Sequence, residues 1–380
     1  MQIVFYILFI FSFVLTGSLQ FIGLSVTFST YVLISLVSLI MLSVFLVKKR
    51  IIINSYLIVN ICLLLLIIVS GTVNHTNPLL VFNYCSYVII PVSIYFLIKS
   101  INKDLLTLRY LINTLIIVQL PVLCLQFYLP DYISYSSKLI DPLDRMFGTF
   151  PLSSDHFLSF FLIINILYIG TKKSFLTFFD YFIIVYSIIC ISLTNSVTSY
   201  LFLISTLAFI LFFKSNMYIK LFYVIVSVSL LAFFYFNLHY FLDLLGKPEL
   251  LDMTNVSHIN EGTAGRFQTF YFVFINELSI YGHGPASYYN PLKGGFQLNL
   301  NFSQLLWFYY DLGIMGVVLL ISLVFSFLYS FSIANYIRIY LAILVLAYSF
   351  SSTILDQITF LVILTIFAAL FEKRNLDNII

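Results

Sequence analysis

The chain has 380 residues, of which 62% are hydrophobic, 19% are aromatic and only 9% are charged, and its formal net charge is +3. A soluble domain has roughly 25% charged residues. The composition therefore excludes a soluble globular protein, a disordered chain, a disulfide scaffold and a nucleic-acid binder. A lipid bilayer is the solvent that suits this sequence, and we expect an all-α integral membrane protein with a single polytopic domain over residues 1–380.

Twelve apolar runs follow one another along the chain, and each predicts a membrane-spanning helix. A spanning helix takes about 20 apolar residues, so the runs leave only short connections and two long loops. The first run lacks the basic n-region of a signal peptide, and we read it as a retained helix. The runs lie at 3–19, 24–47, 51–70, 79–98, 105–129, 156–170, 175–193, 197–213, 221–242, 303–330, 334–352 and 357–371.

The basic residues predict the orientation of these helices, because cytoplasmic connections are enriched in Lys and Arg. If both termini are cytoplasmic, 13 of the 18 basic residues lie on the inner side. The opposite orientation would invert this ratio. The five that remain outside are Lys138, Arg145, Lys247, Arg266 and Lys293. We therefore expect a multi-pass protein of a bacterial inner (plasma) membrane with its two long loops outside, at 130–155 and 243–302.

The first outer loop, at 130–155, carries an arginine close to a predicted helix start. The guanidinium of Arg145 could bind phosphate through its planar fork of donors. Alternatively, it reaches lipid headgroups or pairs with Asp141 or Asp144. Asp155 is suited to cap the helix that follows.

The second outer loop contains a stripe with helical spacing between Arg266 and Ile280. The stripe is too short and too polar to span a membrane, and we expect an amphipathic helix lying flat at the outer interface. Arg266 lies in its first turn and Glu277 in its last. The apolar positions of the stripe are Phe267, Phe270, Tyr271, Phe274, Ile275 and Leu278.

A turn of sequence G-H-G-P follows the stripe. Gly282 and Gly284 would allow the backbone to come close to a ligand, and His283 could serve as a base, as a hydrogen-bond donor or only as a polar loop residue. Farther along the loop, Lys293 and Asn301 are candidate substrate-binding residues.

The span at 303–330 begins with Trp307, Tyr309 and Tyr310, a pattern typical of an aromatic belt at the membrane interface. Asp311 follows at the expected headgroup level, where it could cap, pair or act in a site. The four cysteines lie within apolar runs and have no metal-ligand spacing, so we expect no metal. They are Cys62, Cys85, Cys124 and Cys190.

Three of these segments resemble motifs of the O-antigen polymerase (Wzy-type) and O-antigen ligase family. Residues 145–151 read R-M-F-G-T-F-P and resemble the family's R-x-x-G-T-F entry to a helix. The Gly-Arg pair ending at Arg266, the amphipathic run and the turn Y-G-H-G-P at 281–285 resemble a second motif. Residues 301–316, which end D-L-G-I-M-G, resemble a third.

The resemblance implies a glycosyltransferase that joins undecaprenyl-pyrophosphate-linked oligosaccharides on the extracytoplasmic face, without a metal or other cofactor. Arg145 and Arg266 would balance the pyrophosphate charge, and a base would assist the acceptor hydroxyl. His283, Glu277, Glu261 and Asp311 all remain candidates for that base. Membrane lipids and a chain-length regulator protein are the other expected partners.

The ligase branch of the family carries a His just before the third motif, where this chain has Asn299 and Asn301. This difference favours a repeat-unit polymerase for O-antigen or capsule over a polysaccharide ligase. A twelve-span transporter or lipid-linked oligosaccharide flippase is the alternative from another class. Such carriers usually have internal repeats and polar sites at mid-membrane depth, and we find neither in the sequence.

Overall fold

The computed structural model describes most of nine predicted spans, three of which lie in the last third of the chain. The longer described ranges are 53–100, 105–128, 146–150, 155–172, 175–194, 196–216, 279–287, 303–355 and 358–377. Phe9, Tyr218, Lys220, Thr269, Phe270, Val273 and the pairs 292–293 and 296–297 complete the set. The spans predicted at 24–47 and 221–242, and all of that at 3–19 except Phe9, lie outside it.

The regular secondary structure of the described chain is helical apart from one two-stranded hairpin. The helices are α1 (Ser55–Val73), α2 (Pro78–Ser100), α3 (Leu105–Tyr128), α4 (Asp155–Gly170), α5 (Phe178–Leu193), α6 (Val197–Lys214), α7 (Gln304–Tyr329), α8 (Asn335–Ser351) and α9 (Ile358–Asp377). The strands are β1 (Leu292–Lys293) and β2 (Phe296–Gln297), which pair antiparallel.

Each of these nine helices overlaps one predicted span, and most helix ends differ from the predicted bounds by only a few residues. By length and composition, four of the described helices could cross a membrane: Ser55–Val73, Pro78–Lys99, Leu108–Tyr128 and Gln304–Tyr329. Helices α4, α5, α6 and α8 are apolar but shorter. The all-α class is therefore confirmed, while the count of twelve spans and their orientation stay predictions.

Helices α4 and α9 form the centre of the bundle. Almost every residue of α4 after its first turn is buried, as is α9 from Thr359 to Glu372. A helix that is apolar on all sides buries all of its faces. The two helices contact each other through stacked aromatic rings, with the Phe160 and Phe360 centroids 4.2 Å apart.

One end of the bundle collects ion pairs, which we call the basic end. Lys99 of α2 pairs with Glu372 of α9 at 2.9 Å. Asp180 in the first turn of α5 pairs with Lys172 at 2.6 Å and with Arg109 of α3 at 3.2 Å. These contacts bring together basic residues that the sequence predicts on the cytoplasmic side.

Candidate functional site

The G-H-G-P turn of the second loop is inserted into a break in helix α7. Gly313 has φ 70° and ψ −162°, which interrupts the helix. Across an intact helix the carbonyls of Tyr310 and Asp311 would accept from the amides four residues later. Here they accept from the turn instead: the N–H of His283 donates to Tyr310 O at 2.9 Å and that of Gly284 to Asp311 O at 3.0 Å.

The amides of α7 that the break releases also find acceptors in the second loop. The N–H of Ile314 donates to Ser279 O at 3.1 Å, and that of Met315 to Ile280 O at a longer 3.5 Å. Residues 279–284 therefore replace the helical hydrogen bonds on both sides of Gly313. Because buried backbone groups need partners, this exchange stabilises the break by pairing these two carbonyls and two amides of α7.

Two glycines make the insertion sterically feasible. Gly282 has φ +69°, and a methyl group on it would overlap the carbonyl group of Asp311. A methyl group on Gly313 would overlap the carbonyl group of Ile280. Both positions have a left-handed backbone, which glycine adopts without penalty. The contact between the turn and α7 therefore requires one glycine on each of the two segments.

Helix α1 holds the turn from a second side. Ser70 Oγ donates to Tyr281 O at 2.9 Å and lies 3.3 Å from Asp311 O. Asn74 Nδ2 lies 2.9 Å from Ser70 O and 3.5 Å from Gly282 O. The turn of the second motif and the α7 part of the third motif thus form a single hydrogen-bonded unit with the end of α1.

Asp311 is completely buried and accepts two hydrogen bonds on one oxygen. Its Oδ2 accepts from Trp307 Nε1 at 2.8 Å and from the amide of Ala286 at 2.9 Å. A buried indole N–H needs an acceptor, and a carboxylate that also binds the turn supplies one. These contacts suit Asp311 to fixing the turn on α7.

The aromatic belt predicted at the start of α7 is wrong. Trp307, Tyr309 and Tyr310 are buried inside the protein, with 2%, 5% and 6% of their surface exposed. The Trp307 ring packs edge-on against the rings of Tyr84 and Tyr87 on α2. These aromatic residues pack internally, because α2 covers Trp307 and the second loop covers Tyr310.

His283 is half-buried, and its ring lies against Tyr310 with the centroids 4.5 Å apart. Its carbonyl accepts from Ser287 Oγ at 2.7 Å, while its amide is bound to α7. The backbone on both sides of the imidazole is therefore fixed by hydrogen bonds, which orients the side chain beside Tyr310.

The first-loop motif is fixed by two buried glutamines of α3. Gln126 forms a pair of hydrogen bonds with Gly148, donating to its O at 2.8 Å and accepting from its N at 2.9 Å. Gln119 forms an equivalent pair with Thr149, at 3.0 Å from its N and 2.8 Å from its Oγ1. We call this arrangement the glutamine clamp. Gly148 has φ +62°, and a methyl group there would overlap Gln119 Oε1.

The sequence reasoning missed the clamp, although a signal for it was present. Gln119 and Gln126 are seven residues apart in an apolar helix, which places them on one face. Polar groups within a membrane-spanning segment are costly and usually functional. A polar contact that it also missed lies at the start of α4, where His156 Nδ1 is 3.1 Å from Ser196 Oγ.

Several predicted site residues lie outside the described chain: Arg145, Arg266, Glu277, Glu261 and Asn301. Most of the amphipathic stripe is outside it too, although Thr269, Phe270 and Val273 are helical. Lys293 belongs to the short hairpin, where it pairs with Phe296. Among the described residues, no group of three His, Cys, Asp or Glu side chains could hold a metal ion.

Comparisons of the chain with protein-family models, with curated protein sequences and with solved structures found no match.

Proposed function

We propose that the chain is a glycosyltransferase that polymerises lipid-linked oligosaccharide repeat units of an O-antigen or capsule. The observation that supports this most is the insertion of residues 279–284 into the break at Gly313. It joins parts of two of the three sequence motifs that resemble the polymerase family into one backbone unit, although the paired residues are 27 and 35 positions apart in the chain. A turn held by α1 and α7 in this way suits a site that must keep its geometry through many cycles.

The proposed reaction transfers the growing glycan from undecaprenyl pyrophosphate to the next lipid-linked repeat unit. A hydroxyl of the incoming unit attacks the anomeric carbon of the donor, and the bond from that carbon to the pyrophosphate oxygen breaks. Arg145 and Arg266 bind the pyrophosphates and balance the charge of the leaving group. The donor is already activated, so the reaction needs no nucleotide sugar.

The proton of the attacking hydroxyl goes to His283, and Glu277 is the alternative acceptor. A neutral imidazole can accept such a proton. Asp311, which binds Trp307 and the turn, acts as a positioning residue. Lys293, Asn301 and the glycines at 282 and 284 contribute to binding the saccharide or its pyrophosphate.

The glutamine clamp supports the same proposal from the first loop. It fixes Gly148 and Thr149, which follow Arg145 by only three and four residues. The clamp lies in the C-terminal half of α3, and the turn lies beyond the C-terminal half of α1, so both are at the end of the bundle opposite to the basic end. The proposed site therefore draws on parts of both long loops at one end of the bundle.

Arginine substitutions test the proposal in a strain that lacks the gene and is complemented by variants. Arg266→Ala and Arg145→Ala should abolish long polymer at normal protein level. Arg266→Lys should rescue poorly, because a point charge does not replace the bidentate fork. Lys247→Ala, on the same predicted side but outside the motifs, is the matched control and should leave chain length unchanged.

Gel analysis of the glycan separates the proposal from its alternatives. Loss of a polymerase leaves single repeat units, whereas loss of a ligase leaves unattached polymer and loss of a flippase leaves lipid-linked units on the cytoplasmic side. In the same strain, His283→Gln should be nearly inactive and Gly284→Ala impaired. Normal chain length in both arginine-to-alanine variants would refute the proposed function.

A further inference from the structure

A cleft of about 440 Å³ opens at the basic end of the bundle, away from the candidate site. It lies between the ends of α4 and α6, the start of α5 and the start of α8. Its floor is formed where Gly170 lets α4 approach Ile210 of α6. Its walls include Phe213 and Tyr336, whose rings stack with centroids 3.7 Å apart. Lys172 and Lys214 also line it.

The charge around the cleft is unbalanced. Asp180 accepts from both Lys172 and Arg109, so one carboxylate is shared by two cations. Arg374 donates to Tyr168 O and to Thr171 Oγ1, which lines the cleft. Burial lowers the pKa of Lys172, and repulsion from Arg109 and Arg374 adds to this while Asp180 opposes it. An anion in the cleft would reduce that repulsion.

Lys214 is the accessible cation of this group. It lies in the last turn of α6, is exposed and makes no ion pair with any residue in the described part of the chain. The cleft thus offers one exposed ammonium group, from Lys214, and a less exposed one, from Lys172, which is bound by Asp180. Two ammonium groups with donors in several directions are suited to the oxygens of a phosphate.

On the side next to α5, the cleft is bordered by exposed aromatic side chains. Phe175 is 100% exposed and Phe178 89% exposed, and Tyr181 beside them is more than half exposed and lines the cleft. In a protein of this composition such side chains belong in the interfacial and acyl region of a bilayer. A free phosphate would gain nothing from these apolar walls, whereas the glycerol and upper acyl chain of a lipid would bury against them.

We propose that this cleft is a binding site for one anionic phospholipid, with the headgroup phosphate between Lys172 and Lys214 and the upper acyl chain along Leu176 and Ile210. Basic pockets between helices on the cytoplasmic side of a membrane favour anionic headgroups. The site is separate from the saccharide site, and its occupancy does not depend on the proposed polymerase activity.

The test is lipid binding to the purified full-length chain in detergent, measured by native mass spectrometry. Phosphatidylglycerol should bind with a stoichiometry of one and more tightly than phosphatidylcholine. Because a basic residue near the membrane surface contributes on the order of 1 kcal/mol, Lys214→Ala should weaken phosphatidylglycerol binding by about fivefold. Lys214→Arg should retain it. Leu176→Trp narrows the cleft without changing its charge and should also weaken binding.

Lys373→Ala is the matched control, because Lys373 lies at the same end on α9 but does not line the cleft. It should leave binding unchanged. Equal affinity for the two lipids, or an equal loss in Lys373→Ala and Lys214→Ala, would overturn the proposal in favour of a diffuse basic surface. Displacement of phosphatidylglycerol by an equal concentration of inorganic phosphate would overturn it in favour of a simple anion site.

Discussion

Replacing Gly282 by alanine should detach the G-H-G-P turn from helix α7. An alanine with φ near the +69° of Gly282 costs about 1–2 kcal/mol in backbone strain. The added methyl group would also lie 2.5 Å from the amide N of Leu312 and overlap the carbonyl of Asp311. These are backbone atoms of a packed helix and cannot rotate away, so the turn must move.

The size of the effect follows from the hydrogen bonds that the movement breaks. Four backbone bonds join residues 279–284 to the two sides of Gly313. At a net value of about 1 kcal/mol each, their loss changes the docking free energy by about 4 kcal/mol before strain is counted. That corresponds to a shift of about a thousandfold in the docking equilibrium.

Hydrogen exchange followed by mass spectrometry measures this equilibrium directly. In the native chain the amides of His283 and Gly284 are bonded to α7 and should exchange slowly. In Gly282→Ala they should exchange about a thousandfold faster. Ala286→Gly is the matched control: Ala286 has φ 66°, so glycine relieves strain there and should keep the amides protected. Unchanged protection in Gly282→Ala would refute the docking contacts.

Two further predictions concern the first loop and the orientation. Gln126→Met should lower the free energy of unfolding by about 2–4 kcal/mol in denaturant titrations, because it leaves the buried N–H and C=O of Gly148 unpaired; the exposed α3 substitution Thr114→Val should have little effect. A reporter that is active only outside the cytoplasm should be active when fused after Ser257 and silent after Lys214. The reverse pattern would contradict the predicted orientation.

The sequence determined which segments are helices. Nine apolar runs coincide with the nine helices defined above. A segment buried in lipid must pair its own backbone groups and therefore forms a helix. The polar residues that end each apolar run thus mark where its helix ends. Local signals also set some of the ends. Thr177 and Asp180 form a capping box that starts α5, a pattern set by their three-residue spacing.

Only the tertiary structure decided which face of each helix packs against other parts of the protein. The aromatic residues at the start of α7 look like a lipid-facing belt in the sequence, yet Trp307 is buried against α2 and donates to Asp311. Spacing along one helix cannot tell a lipid-facing side from a side that another segment covers, because both sides are apolar.

The same limit applies to the hydrogen bonds that build the candidate site. The sequence singled out the turn at 282–284 and Asp311 as separate features, whereas the structure makes them a single unit because α7 breaks at Gly313. The glutamine clamp joins residues 22 and 30 positions apart. Such pairings depend on which distant segments lie next to each other in the fold, and no local sequence pattern encodes this. Buried polar groups must be paired, but their partners are defined only when the helices have packed.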